Sequence, residues 1–172
     1  ISTGAHLLKL LHSDNAQITQ TCAIIARQVE HMTGLVDDLL DVSRVTRGLV
    51  SLSTQVLDLR KVVDDAAEQI RPLISTRRHT VVLDLPHEAA SVKGDHKRLV
   101  QVVANLLNNA NKYTPEGGRI ELRLAQDGPD YVLTVLDDGI GMEPQLVARV
   151  FDLFTQADRT PDRSQGGLGL GL

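Results

Sequence analysis

The chain has 172 residues, of which 42% are hydrophobic and only 2% aromatic, so it can form one domain with a helical extension, or two small domains, around aliphatic cores. A net charge of −4 and the scarcity of aromatic side chains argue against a nucleic-acid-binding surface. The single cysteine, Cys22, excludes an internal disulfide and fits a reducing compartment, and no apolar run is long enough to span a membrane.

The first fifty residues have the pattern of two helices. Residues 1–12 carry apolar side chains at helical spacing, and residues 15–44 contain no proline. In this second stretch, apolar residues recur in alternating steps of four and three: Ile18, Cys22, Ile25, Val29, Met32, Val36 and Leu39. Such a seam is typical of a helix packed lengthwise in a coiled coil or a four-helix bundle. We expect an antiparallel hairpin with a loop near Ser13, and we expect Cys22 and Met32, which lie on this seam, to be core residues of the coiled coil or bundle.

After Gly48 the pattern changes to a mixture of strands and helices. A helix is expected from Leu59 to Ile74, with Asp58 as its N-cap. Alternating hydrophobicity and turn residues predict five strands: Gln55–Leu57, His79–Leu85, Ala90–Val92 after a turn at Pro86, a strand following Gly117-Gly118, and Tyr131–Leu136. The last is apolar enough to lie centrally in the sheet. The fold class is therefore α+β, antiparallel where hairpins are short, with helices on one face.

A further helix is expected from Asp95 to Tyr113, buried along Leu99, Val103, Leu106 and Ala110. Three polar residues, Asn105, Asn109 and Lys112, fall within roughly 60° of one another on a separate stripe of this helix. Carboxamide oxygens can coordinate Mg²⁺ without adding negative charge beside a polyphosphate, and an ammonium group can contact phosphate oxygens. The alternative interpretation is an ordinary solvated helix face.

Two glycine-containing segments follow. Asp137-Asp138-Gly139-Ile140-Gly141 places a carboxylate at a strand end, where it can accept a hydrogen bond from an exocyclic amine, although it could also be a plain loop. The run from Gly166 to Leu172 alternates glycine with leucine, which would leave backbone amides free to bind phosphate. The polar residues between Phe154 and Gly166 predict a loop able to close over a ligand.

Four segments resemble, in order and spacing, the asparagine box, first glycine box, phenylalanine box and second glycine box of bacterial sensor histidine kinases: Asn105–Thr114, Asp137–Gly141, Phe151–Phe154 and Gly167–Leu172. Residues 35–44 resemble the end of that family's dimerisation hairpin. The resemblance implies a partial hairpin at residues 1–50, forming half of a dimeric four-helix bundle. Residues 51–172 would then be an α/β sandwich ATP-binding domain of the gyrase/chaperone/kinase type, incomplete at its C-terminus.

The resemblance also implies roles for the polar stripe. Asn109 would be the Mg²⁺ ligand, and Asn105 would make a supporting contact toward the metal and the phosphates. Lys112 would contact phosphate oxygens, and Tyr113 would lie against the ribose and base. All of these residues come from one helix, so the metal and the phosphates of ATP would bind along its polar stripe.

For the loops, the resemblance implies that Asp137 accepts a hydrogen bond from the adenine amino group, while Gly139 and Gly141 let the base approach. The side chains of Phe151 and Phe154 would anchor a lid. The second glycine box would present backbone amides to the phosphates at Gly167, Gly169, Gly171 and Leu172. Tyr113 and both phenylalanines could instead be simple core residues.

The implied activity is transfer of the ATP γ-phosphoryl group to a histidine and then to an aspartate of a response-regulator receiver domain. The implied setting is cytoplasmic, in a homodimer formed through residues 1–46, with or without a membrane anchor in a longer parent protein. The family's acceptor histidine precedes an acidic residue, but His6 and His12 do not, and His87-Glu88 follows Pro86 in a predicted turn. We therefore expect the acceptor upstream of residue 1, and no self-phosphorylation by these residues alone.

Three alternatives remain at this point. Gyrase-, mismatch-repair- or chaperone-like ATPases of the same fold carry a glutamate as general base where this chain has Asn105, which cannot accept a proton. An anti-sigma-type serine kinase would share the ATP site but would not need the long heptad seam. A nucleotide-sensing dimerisation module without catalysis would not need the full set of box residues.

Overall fold

The computed structural model describes residues 2–11, 15–46 and 51–152. The chain divides into two units, Ile1–Val50 and Ser51–Leu172. Among the described helices, none combines the length and apolar character that a membrane crossing requires.

The first unit is a pair of packed helices, α1 (Ser2–Leu11) and α2 (Ala16–Thr46). Asn15 is the N-cap of α2, because its Oδ1 accepts hydrogen bonds from the backbone N–H of Gln17 at 3.0 Å and of Ile18 at 3.2 Å. The two predicted helices are thus confirmed, while the predicted loop near Ser13 lies outside the described residues.

The α2 seam is buried only near its beginning. Cys22 is 4% exposed, as expected, whereas Met32 is 62% exposed in the single chain, so its predicted place in the core of a bundle stays a prediction. With 10 residues against 31, α1 is about 15 Å long and cannot cover an α2 of about 46 Å. Large apolar side chains are exposed on both helices of the pair: Leu7, Leu8 and Leu11 on α1, and Ile24, Met32, Val36, Leu39 and Leu40 on α2.

The second unit contains five strands and three helices in its described part. In chain order these are β1 (Gln55–Asp58), α3 (Leu59–Thr76), β2 (Thr80–Asp84), β3 (Ser91–Gly94), α4 (His96–Tyr113), β4 (Arg119–Asp127), β5 (Asp130–Asp137) and the short α5 (Pro144–Val147). The predicted elements are therefore all present, with ends that differ by a few residues.

Pairing of the strands goes beyond the prediction in one respect and differs from it in another. The sequence did not indicate the partners of the strands flanking Pro86: β2 pairs in parallel with β4, and β3 pairs antiparallel with β1. Within the described residues, the three-stranded sheet has the order β2-β4-β5, so β4 and not β5 is central. The burial of the strands explains this order, because β4 buries Ile120, Leu122 and Leu124 while β5 exposes Val132 and Leu136.

The core lies between α3, α4 and the inner face of the sheet. Of the predicted row, Val103 and Ala110 are buried, whereas Leu99 and Leu106 lie half-buried at its edge. The buried face of α4 consists of Val100, Val103, Ala104, Leu107, Ala110 and Asn111. The apolar stripe of α4 is wider than one row, and packing against α3 and the sheet determines which residues form its centre. Consequently, the polar stripe lies on the opposite side of α4, about half of the helix circumference away from the buried face.

Asp58 joins the start of α3 to the segment before β3. Its Oδ1 accepts hydrogen bonds from the backbone N–H groups of Arg60 and Ala90, both at 3.1 Å, and its Oδ2 lies 2.7 Å from Arg60 Nη2. Arg60 Nη1 in turn donates to the carbonyl of His87 at 2.7 Å. The side-chain hydrogen bond from Arg60, aided by the backbone donors, lowers the pKa of Asp58 from 3.8 to about 2.

This shift predicts a loss of stability in acid. Because the pKa of Asp58 is lower in the folded protein, its stabilising effect is present above pH 3.8 and is lost as the pH falls from there through about 2. Urea unfolding of wild type and of Asp58→Asn, which keeps an N-capping oxygen, should differ by a constant free energy near neutral pH and converge in acid. A difference that does not change with pH would show that the carboxylate charge contributes nothing.

Candidate nucleotide-binding site

The helix that carries the polar stripe, α4, begins at a well-defined N-cap. The N-cap Asp95 accepts from the Arg98 backbone N–H at 3.3 Å, and its other oxygen accepts from the Ser53 N–H at 2.9 Å. These backbone donors lower the pKa of Asp95, with the Ser53 bond as the main cause. Asn105 and Asn109 are half-buried and lie on the side of the helix away from the core. Their carboxamides are therefore placed where a metal ion or phosphate could approach them.

The last turn of α4 places a cation beside an aromatic ring. The ammonium nitrogen of Lys112 lies 5.0 Å from the centroid of the Tyr113 ring, which is within the range of a cation–π contact. Both side chains are half-buried. The end of the helix thus offers a positive charge for an anion and a ring for stacking, on adjacent residues.

The loop after β5 contacts this end of α4. Asp137 is the last residue of β5, and its Oδ1 accepts from the Gly139 N–H at 3.0 Å. The Ile140 N–H donates to the carbonyl of Tyr113 at 3.3 Å. A Cβ at Gly139 would meet Asp137 Oδ1 and would lie 2.8 Å from the Tyr113 carbonyl oxygen, so only glycine fits between the two.

Two neighbouring residues hold the loop in this position. Asp138 is fixed to the start of β4, because its Oδ1 accepts from the Arg119 N–H at 2.8 Å and its own N–H donates to the Arg119 carbonyl at 3.2 Å. Gly141 has a φ of +68°, a conformation that favours glycine. Asp137 and Tyr113 are therefore brought to the same end of the domain by backbone contacts that need no ligand.

Sequence reasoning missed a cluster behind this end of α4. His79 is buried, with Nδ1 at 3.1 Å from Asn111 Oδ1 and Nε2 at 2.9 Å from the carbonyl oxygen of Pro115. The Arg77 guanidinium donates to the carbonyls of Lys112 and Asn111 at 3.0 and 3.2 Å. The signal that could have revealed the cluster is Asn111 itself, since an asparagine on the apolar face of a helix needs a buried partner.

Of the predicted site residues, seven lie on α4 or on the adjoining loop: Asn105, Asn109, Lys112, Tyr113, Asp137, Gly139 and Gly141. Phe151, which follows α5, is 78% exposed. The remaining predicted positions lie outside the described residues: Phe154, Gly167, Gly169, Gly171 and Leu172. The described part of the site therefore consists of the metal, phosphate and base positions implied by the resemblance.

Comparison with known proteins shows which proteins this chain is similar to. Residues 94–172 match the family of histidine kinase-, DNA gyrase B-, and HSP90-like ATPases. The chain is 34% identical to the autoinducer 2 sensor kinase/phosphatase LuxQ of Vibrio cholerae, covering 92% of this chain and 19% of LuxQ. It is 33% identical to the probable sensor histidine kinase TcrY of Mycobacterium tuberculosis, covering 96% of this chain and 34% of TcrY. The chain thus spans about a third or less of the length of these relatives.

A solved structure is similar over nearly the whole chain. Full-length ShkA, in complex with AMPPNP, superposes with a TM-score of 0.75 and 27% sequence identity, covering 97% of this chain and 34% of ShkA. The likeness therefore includes both the helix pair and the unit that contains α4.

Proposed function

Because the chain belongs to the sensor histidine kinases and carries their ATP-binding domain at residues 94–172, we propose that it binds Mg·ATP along the polar stripe of α4. The γ-phosphoryl group would pass to a histidine of the dimerisation hairpin and then to an aspartate of a response-regulator receiver domain. The predicted roles of the individual residues are part of this proposal, as is the Mg²⁺ ion.

The hydrogen bond from Ile140 to the Tyr113 carbonyl is the observation that carries the proposal. This hydrogen bond joins α4, which would hold the metal and the phosphates, to the loop after β5. The Asp137 carboxylate, at the start of that loop, would select the base. An adenine amino group at Asp137 would leave the phosphates near Lys112, with the carboxamide of Asn109 as a neutral oxygen ligand for Mg²⁺. One nucleotide can therefore contact both parts of the site at once.

The transfer chemistry requires little from the protein beyond position and charge. A histidine nitrogen attacks the γ-phosphorus as the bond to the bridging oxygen breaks, and ADP leaves with the electron pair. Lys112 and the metal would balance the negative charge on the phosphate oxygens, and the hairpin would present the histidine in line with the leaving group. The same phosphoryl group would then move from the histidine to the regulator aspartate.

Hydrolysis of ATP by water is the weaker candidate. An ATPase of this fold places a general base one helical turn before the metal-binding asparagine, but this position is Asn105 here. A carboxamide cannot accept the proton of an attacking water. The residue at this position therefore favours transfer to a protein nucleophile.

The acceptor histidine is proposed to lie in the full-length protein outside residues 1–172. When γ-³²P-ATP is supplied, the full-length protein should label with an acid-labile, base-stable bond, and residues 1–172 alone should not label. Acid and alkali treatment of the labelled protein distinguishes the outcomes. Acid-stable label on serine or threonine would indicate the anti-sigma type of kinase, and stoichiometric acid-labile label on the short chain would make His6 or His12 the acceptor.

A further inference from the structure

The turn between α3 and β2 holds the C-terminal end of α4 through its backbone. Arg77 Nη1 donates to the carbonyl oxygens of Lys112 at 3.0 Å, Asn111 at 3.2 Å and Thr114 at 3.4 Å. The last carbonyls of a helix have no partner within the helix and carry its partial negative charge. A half-buried guanidinium group at this place satisfies both the hydrogen-bonding and the charge requirement.

Within this group of carbonyls, the one belonging to Tyr113 has a different partner. It accepts a hydrogen bond from the Ile140 N–H at 3.3 Å, whereas the carbonyl oxygens of Lys112 and Thr114, on either side, accept hydrogen bonds from Arg77. The carbonyl groups of three consecutive residues at the end of α4 are thus bound alternately by Arg77 and by the loop that follows Asp137 at the end of β5 (the Asp137 loop). A rotation of this turn about the helix axis would weaken both sets of contacts.

Two further contacts join the same segments. The buried Asn111 side chain faces His79, whose second ring nitrogen lies 2.9 Å from the Pro115 carbonyl oxygen. The Gly117 N–H donates to the Arg77 carbonyl at 2.9 Å. Residues 77–79 therefore hold the last turn of α4 and the residues that follow it, through contacts separate from the one made by the loop after Asp137.

From this geometry we propose that Arg77 is a positioning residue for the nucleotide. It acts through the backbone of Lys112 and Tyr113, whose side chains it holds in register with Asp137. The inference rests on the proposed function, because it assumes that Lys112 and Asp137 bind opposite ends of one ATP molecule. Arg77 itself belongs to none of the motifs that indicate the ATP site.

The neighbouring arginine provides a matched control. Arg78 links the same two segments, but through an ion pair with the Glu116 side chain at 3.6 Å, and its own side chain is 82% exposed. Arg78→Gln and Arg77→Gln remove the same charge from adjacent positions, and only Arg77→Gln removes the contacts to the α4 carbonyls. An effect of net charge alone would be the same in both variants.

The experiment measures ATP affinity of the full-length protein by calorimetry in Mg²⁺, for wild type, Arg77→Gln, Arg77→Lys and Arg78→Gln, with thermal unfolding measured in parallel. Loss of a charge-assisted hydrogen-bonding group should weaken ATP binding about ten-fold in Arg77→Gln, and Arg78→Gln should bind within about two-fold of wild type. Arg77→Lys, which retains the charge but not the planar donor group, should be intermediate. If Arg77→Gln does not fold, the comparison of Arg77→Lys with Arg78→Gln decides by the same criterion.

A double-mutant cycle separates positioning from general destabilisation. If Arg77 acts through Lys112, then Arg77→Gln should cost much less affinity in a Lys112→Ala background than in wild type. The inference would be overturned if the losses of ATP affinity caused by Arg77→Gln and Lys112→Ala were additive. It would also be overturned if a folded Arg77→Gln or Arg77→Lys variant bound ATP as tightly as wild type. Either result would leave the proposed function intact. If neither the wild type nor Arg78→Gln binds ATP, the proposed function is wrong, and the inference fails with it.

Discussion

Asn109→Ala is expected to abolish the Mg²⁺ dependence of ATP binding and to leave the fold intact. The side chain lies on the polar stripe of α4 and is not among the buried residues around Leu107, so its removal leaves that core unchanged. The carboxamide oxygen would be the metal ligand supplied by the helix, and a bound Mg²⁺ would supply positive charge that favours the phosphates. Without it, ATP affinity in Mg²⁺ should fall by about a hundred-fold, to the value measured in EDTA.

Asp137→Ala should have the complementary effect. Its proposed partner is the adenine amino group, so the variant should lose its preference for ATP over GTP but keep a response to Mg²⁺. Competition with a fluorescent ATP analogue, measured for both variants with and without Mg²⁺, tests both roles in one experiment. Asp130→Ala, at the other end of β5, is the matched control for loss of a carboxylate.

Two results would contradict these roles. An unchanged response to Mg²⁺ in Asn109→Ala would remove that residue from the metal site. Equal losses of ATP and GTP affinity in Asp137→Ala, together with a lowered unfolding temperature, would mean that the carboxylate serves only the loop through its hydrogen bond to Gly139.

The elements that sequence predicted well are those with local signals. Asp58 and Asp95 stand directly before α3 and α4, and each accepts a hydrogen bond from a backbone N–H of the first turn, as the capping pattern requires. The polar stripe of α4 is equally local, because it follows from helical geometry alone. These signals involve neighbouring residues and do not depend on how distant segments pair.

What the sequence did not reveal concerns contacts between distant segments. Nothing near Pro86 indicates that β2 pairs in parallel with β4, which follows it by a whole helix. The row of α4 that is buried depends on the position of α3, and the sequence offered several apolar rows. Likewise, the Arg77 contacts join residues more than thirty positions apart, and no spacing rule could have found them. The site motifs were recognisable because ligand chemistry limits their residue types, whereas the residues that support them are less restricted.

In the first unit, the second half of α2 has exposed apolar side chains that one chain does not cover. Helix α1 covers only the beginning of α2, and beyond it Met32, Val36, Leu39 and Leu40 are each 46–62% exposed. Side chains of this size on one side of a helix are characteristic of an interface. We propose that a second copy of the hairpin covers them in a dimer formed through residues 1–46.

Met32→Asp should therefore dissociate the dimer without unfolding the hairpin. In the isolated chain Met32 is exposed, so an aspartate there costs little, but in a symmetric dimer two unpaired carboxylates would be buried at several kcal/mol each. The dimer dissociation constant should rise by at least about a thousand-fold. Gln20→Asp, an exposed position opposite the seam, is the control and should remain dimeric. Sedimentation of the three proteins decides between the possibilities: a monomeric wild type at tens of micromolar, or a Met32→Asp dimer as tight as wild type, would show that these apolar side chains do not form the interface.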